Sequence, residues 1–255
     1  LLFGLMAPAM MLGHHLGERR RARTEHRAAT ARHHEDLLTV LQEQRRAVAT
    51  DLAALRSRHP GLGGAVAALL PLASTDLWSR AAEPVEVVVG RCRSPSSVRL
   101  DGRAGPHDEA PVVLDLGQPL TVVGPAPLRD GLVRSLLLQA TTSHPPSAVA
   151  VLVDADAPPA GTWDLLAWLP HTRPVHQEGP LELRWGEHVS MVDDVRDAPV
   201  GRARVEVHDA AHAVLRRPGE PDVAFVPTLL GLPRARHLAR AQGGYEEDLP
   251  GEVPG

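Results

Sequence analysis

Hydrophobic and polar positions change rhythm several times along the chain. Residues 1–13, LLFGLMAPAMMLG, are wholly apolar, yet at about 1.5 Å per helical residue they reach roughly 20 Å, short of the ~30 Å hydrocarbon layer. They predict the end of a transmembrane helix, residues 1–17, whose remainder precedes Leu1. Charge follows the apolar run, whereas a signal peptide carries it in front. Arg19, Arg20, Arg21 and Arg23 form a membrane-proximal basic cluster of the kind retained on the cytoplasmic side. The expectation is an anchor in the cell inner (plasma) membrane with the bulk of the chain cytoplasmic.

Residues 18–58 contain no Gly or Pro and set His34, Leu38, Leu41, Arg45, Val48, Leu52 and Leu55 at alternating steps of four and three. That is a heptad-like seam on one long helix, predicting a cytoplasmic helical stalk. Its two polar positions make pairing weak or partner-dependent. His59-Pro60-Gly61 ends the helix, and residues 59–82 read as a linker holding an apolar stretch from Leu62 to Trp78. From Val85 the period becomes that of strands: Val85–Val89 and Val98–Leu100, with Asp101-Gly102 as turn chemistry and a Gly/Pro/Asp-rich loop over 103–111.

The next block, residues 112–156, predicts strands at Val112–Leu114 and Leu120–Val123, then Gly124-Pro125-Ala126-Pro127-Leu128-Arg129-Asp130-Gly131, an apolar-periodic helix from Leu132 to about Thr142, and a β-branched run Ala148–Asp154. Strand, glycine loop, helix and buried strand ending in Asp is the order of a P-loop unit, with Asp154 where such a fold puts its metal-orienting acid. Residues 83–242 are thus expected to form an α/β, degenerate P-loop-like (ATPase-like) domain, followed by an acidic Gly/Pro tail, 243–255.

Composition changes the picture at this loop. The chain contains no lysine, isoleucine or asparagine, so all 27 basic positions are arginine. A phosphate-loop lysine, a Schiff-base lysine and a lysine general base are excluded together. Pro125 and Pro127 each remove an N–H from the cradle, the glycine spacing is two residues too long, and Leu132-Val133 replace the cation and hydroxyl. Gly124, Arg129, Gly131 and Asp154 are therefore the candidate nucleotide contacts of a degenerate loop. No cofactor is expected, ATP·Mg²⁺ being the alternative, and no catalytic residue is assigned.

Charge divides unevenly. Residues 18–58 hold ten Arg against six acidic residues, net +4, which leaves −8 for the rest of a chain of net −4. Anionic lipid headgroups are the expected partner of the basic segment, and nucleic acid is not expected. Aromatics at 3% leave little for base-stacking platforms. The lone Cys92 forms no internal disulfide; between Arg91 and Arg93 it is a candidate for a lowered thiol pKa, without a matching His/Asn arrangement. His208 and His212 have the spacing of a zinc-binding helix, but Arg204–His208 alternates like a strand and Asp209-Ala210-Ala211 reads as a turn, so no metal site is assigned. Ser135, Ser143 and Ser190 lack a nucleophile elbow.

The run Trp163-Asp164-Leu165-Leu166-Ala167-Trp168-Leu169-Pro170-His171-Thr172 resembles the W-x-W-L-P-H segment of the FtsK/SpoIIIE-type ATPases of type VII (ESX-like) secretion, the EccC-like proteins of actinobacteria; Trp168, Leu169, Pro170 and His171 carry it. Leu77-Trp78-Ser79-Arg80 before Val87-Val88-Val89-Gly90, Arg217-Pro218-Gly219-Glu220 and Arg234–Arg240 are similar in sequence order, while Val85-Glu86 departs from the family's D-F-L-like approach. The resemblance implies the membrane-proximal part of a protein-export motor: a stalk and a divergent ATPase-like domain, assembled as a homo-oligomer with the membrane and other secretion-machinery subunits. A nucleotide-binding regulatory domain gating the motor, or a fragment of a DNA translocase, are the alternatives. The parent family hydrolyses ATP; this stretch is expected not to.

Overall fold

In the computed structural model, residues 3–69, 77–80, 84–100, 103–153, 161–174, 182–184 and 189–244 are described, residues 3–22, 24, 100, 103, 153, 161, 162, 174 and 182–184 by backbone alone. The protein is a mixed α/β chain with one long N-terminal helix, α1 (Phe3–Arg58). Two compact units divide it: residues 1–51 with 96–105, and residues 52–95 with 106–255. Among the described residues no helix is long and apolar enough to cross a membrane.

In the first unit, α1 meets the tip of a hairpin formed by β1 (Glu86–Leu100) and β2 (Arg103–Asp115). The Ser97 amide donates to Asp51 Oδ2 at 2.9 Å, and a Cβ placed on Gly105 would stand 2.8 Å from Val48 Cγ2. Of the predicted seam, Val48 is thus covered by the hairpin, whereas Leu38 and Leu41 remain 47% and 44% exposed. Arg23 is also exposed.

The second unit begins with the last turns of α1 and α2 (Gly61–Ala68). Arg56 and Arg91 share Glu109 Oε2, at 2.7 and 3.2 Å, tying the end of α1 to the base of the hairpin. Its larger sheet has the order β2-β1-β10-β9-β8-β3-β7, where β3 is Leu120–Val123, β7 Val189–Val192, β8 Ala203–Val207, β9 Ala213–Arg216 and β10 Val223–Pro227. β1/β10, β10/β9 and β9/β8 pair antiparallel, and β3 pairs parallel with both β8 and β7. A second, parallel sheet has the order β5-β4-β6: Thr172–Pro174, Ala150–Val153 and Glu182–Arg184.

Three sequence expectations change here. The loop over 103–111 is instead part of β2, at the edge of the sheet. An edge strand leaves one row of N–H groups unpaired, so Pro106 and Pro111 cost little there and blunt the edge against further pairing. Its buried positions alternate, Gly105 and His107 and then Ala110, Val112 and Leu114, with a one-residue slip at Asp108-Glu109. Second, the helix after Gly124 starts six residues early: α3 is Ala126–Ser143, with Pro125 as N-cap. Proline is compatible with a first helical turn, whose amides have no intrahelical partner. Third, β4 lies in a different sheet from β3 among the described residues, so the strand–helix–strand order does not build one sheet.

Helix α3 is the core. It is buried from Asp130 through Thr142 and touches α2, β3 and α4 (Leu232–Gln242). A helix covered on every side has to satisfy its polar side chains internally. Gln139 does so by pairing with β1: its Oε1 accepts from the Val88 amide at 2.8 Å, and its Nε2 donates to the Val88 carbonyl at 3.0 Å and to Ser135 Oγ at 3.2 Å.

Candidate functional site

The degenerate phosphate loop is a two-residue junction, Gly124-Pro125, between β3 and α3. Gly131 sits inside the second turn of α3, where its carbonyl accepts the Leu230 amide at 2.9 Å. Gly124 has φ +140°, and a Cβ on it would run into the Val207 carbonyl oxygen. Close approach of two backbones explains this glycine without a ligand. Of positions 124–129, Pro125 and Pro127 have no amide, Gly124 donates to Val192 O, and Leu128 and Arg129 donate to Pro125 O. Five of the six cannot point at a phosphate.

The cations are engaged as well. Arg129 is sandwiched between Asp130 at 3.1 Å and Asp193 at 2.7 Å. Asp130 and the Arg129 side chain are largely buried, so this charge balances local carboxylates. Arg134 donates its Nε to the Leu230 carbonyl at 3.0 Å and lies 5.8 Å over the Trp163 ring; burial pulls its pKa down and Asp130 opposes the shift. Asp154 lies outside the described residues. Among the described residues of this loop, the charges are balanced by local carboxylates and most amides are engaged by backbone carbonyls.

Two of the segments that carry the resemblance, residues 77–80 and 163–172, meet at the C-terminal end of α3, whereas Arg217 lies elsewhere, donating to the Val113 carbonyl. The Trp78 amide and Nε1 donate to the Thr142 and Thr141 carbonyls at 2.9 and 3.1 Å, and the Arg80 amide donates to Ser143 O at 3.0 Å. The orphan carbonyls of the helix terminus are thereby satisfied. Gln242 of α4 reaches the same turn, donating to Thr141 O. Against this cap sits His171, fully buried, its Nε2 2.7 Å from the His144 carbonyl and its ring edge-on to Trp78 at 6.1 Å. Facing a carbonyl, Nε2 carries the proton. Burial, foremost, lowers the His171 pKa from 6.5 to about 4.

Pro170-His171 follows a 3₁₀ helix, Gly161–Trp168, that buries Leu165 and Leu166, while Leu169 is buried just beyond it. The 3₁₀ helix is fastened to α4 by Arg236 Nε donating to Asp164 Oδ1 at 2.9 Å and by Arg240, whose guanidinium lies 4.8 Å over the Trp168 ring. Trp78, Gln242 and Asp164 were not singled out as site residues from the sequence; only the resemblance flagged their neighbourhoods. The strand and turn expected at 204–211 form, but His208 and His212 stack at 5.0 Å across the β8–β9 turn, a convergence of the two rings that the alternation did not predict, and among the described residues no cluster of three or more metal-ligating side chains occurs. The Cys92 expectation is reversed: burial raises its pKa.

His171 makes stability pH-dependent. Unfolded, it takes up a proton near pH 6.5; folded, it resists until about pH 4. Its contribution is therefore whole above about 6.5 and is lost as pH falls towards 4, amounting to about 3 kcal/mol. Urea midpoints from pH 7 to 4 are expected to fall more steeply for the native chain than for His171→Gln, whose amide can still donate to His144 O; parallel curves would refute this.

In comparison with known proteins, no family model matches the chain and no curated protein matches its sequence.

Proposed function

We propose that this chain is the membrane-proximal stalk and a non-hydrolysing ATPase-like module of an FtsK/SpoIIIE-type motor of type VII (ESX-like) secretion, serving assembly and coupling in protein export. The observation that carries the reading is convergence. Residues 77–80 and 163–172 bear the resemblance separately in sequence and meet at the C-terminal end of α3, and 234–240 packs on the 3₁₀ helix of the second, while Arg217 stands apart on the Val113 carbonyl. The P-loop-like layout survives in order only: β3, a tight junction, α3, then β4 leading to Asp154. With its amides and arginines engaged, the module works by contact with the membrane, with other secretion-machinery subunits and with copies of itself. In the organism that encodes it, in-frame deletion of residues 84–244 is expected to stop export of small WxG-type proteins into the medium; undiminished export would sink the proposal.

The nucleotide-gating alternative is tested separately. Titration of the whole chain with ATP·Mg²⁺ is expected to give no saturable heat up to about 1 mM, a free energy weaker than about −4 kcal/mol. Micromolar binding that disappears in Arg129→Ala would restore the gating reading.

A further inference from the structure

We infer that Trp168 and the exposed face of α4 form a docking platform for an acidic partner segment that carries an apolar anchor residue. Trp168 is 48% exposed, yet its main chain is fixed. The Leu169 amide closes onto Leu166 O at 3.1 Å, and a Cβ on Gly243 would lie 2.5 Å from the Trp168 carbonyl oxygen, so the end of α4 is seated directly against it. The indole is a pre-ordered apolar surface that loses little freedom on binding. Stacked over it, the Arg240 guanidinium has no ion pair among the described residues, and a guanidinium in this pose can still donate from its N–H edge to a carboxylate.

The helix supplies the rest. Ala235, Leu238, Ala239 and Gln242 form its buried face. Arg234, His237 and Arg240 are exposed, and among the described residues no ion pair neutralises them, whereas Arg236 is held by Asp164. No acidic residue occurs in Leu232–Gln242, although the sequence outside 18–58 is net −8. A cationic stripe beside an exposed tryptophan, on an otherwise acidic domain, is complementary to a short acidic segment; a long polyanion such as nucleic acid would meet the repulsive field of the whole domain. Tryptophan and arginine are also the residues that most often concentrate binding energy at interfaces. The inference stands on this geometry and does not require the export reading.

Panning a random peptide library against the full chain, with the Trp168→Ala/Arg240→Glu double variant as counter-selection, tests it. Both side chains are exposed, so an unchanged melting temperature certifies that the variant folds. The expected result is enrichment of peptides with Asp or Glu flanking an aromatic or aliphatic residue. The best of them is expected to lose at least about tenfold in affinity on Arg240→Glu alone. Enrichment of basic or uncharged sequences, absence of any enrichment over the double variant, or displacement of the selected peptide by a single-stranded oligonucleotide that binds the native chain more tightly would each overturn it.

Discussion

Alanine at position 124 is expected to lower the unfolding free energy by about 4 kcal/mol, in two parts. A non-glycine residue at φ +140° costs on the order of 1–3 kcal/mol, and the new methyl group meets the Val207 carbonyl oxygen, which forces β3 and β8 apart at roughly 1–3 kcal/mol more. The informative control is the neighbouring glycine. Gly131 lies within α3, and a Cβ there meets nothing nearer than Leu229 Cβ at 3.6 Å. Gly131→Ala should therefore be neutral or stabilise by about 0.5–1 kcal/mol through helix propensity. Urea denaturation of the two variants decides between two accounts of this stretch. A phosphate loop would need both glycines for its cradle; a backbone junction needs only the first. Equal losses would refute the junction.

Gln139→Leu is expected to cost a similar amount, about 4 kcal/mol. Leucine fits the volume but leaves the Val88 N–H and C=O without the partners they have at 2.8 and 3.0 Å, and each unsatisfied buried backbone group costs about 1–3 kcal/mol. Gln139→Glu separates hydrogen bonding from shape: it retains an acceptor for the Val88 amide but loses the donor for its carbonyl and buries a charge. The leucine variant should melt cooperatively at reduced stability, with amide exchange at Val88 accelerated. A loss below about 1 kcal/mol would mean that β1 finds other partners.

What was legible in the sequence was local. The unbroken stretch of 18–58, the β-branched run at Leu120–Val123, the apolar period of Leu132–Thr142 and the strand-plus-turn reading of Arg204–Ala211 all follow from residues that touch near neighbours. The junction was misread because Pro125 and Pro127 look like loop residues when their position relative to the helix start is unknown. The same holds for β2: Pro106 and Pro111 are compatible with a strand only if it lies at an edge, and strand order is a long-range property. The engagement of Arg129 was hidden for a related reason. Arg129 is neutralised by Asp193, 64 residues on, and no spacing rule announces that partner. His171 was visible as part of a motif, while its packing against Trp78 and the His144 carbonyl required the folded chain.

The length of α1 has a mechanical implication. Within the first unit the helix runs from Phe3 to Asp51, roughly 74 Å at about 1.5 Å per residue, so a tilt of about 5° about one end of that stretch sweeps its other end through roughly 6 Å. That displacement exceeds one helical turn. Small angular changes at either end of such a rod are thus converted into movements large enough to exchange one set of side-chain contacts for another.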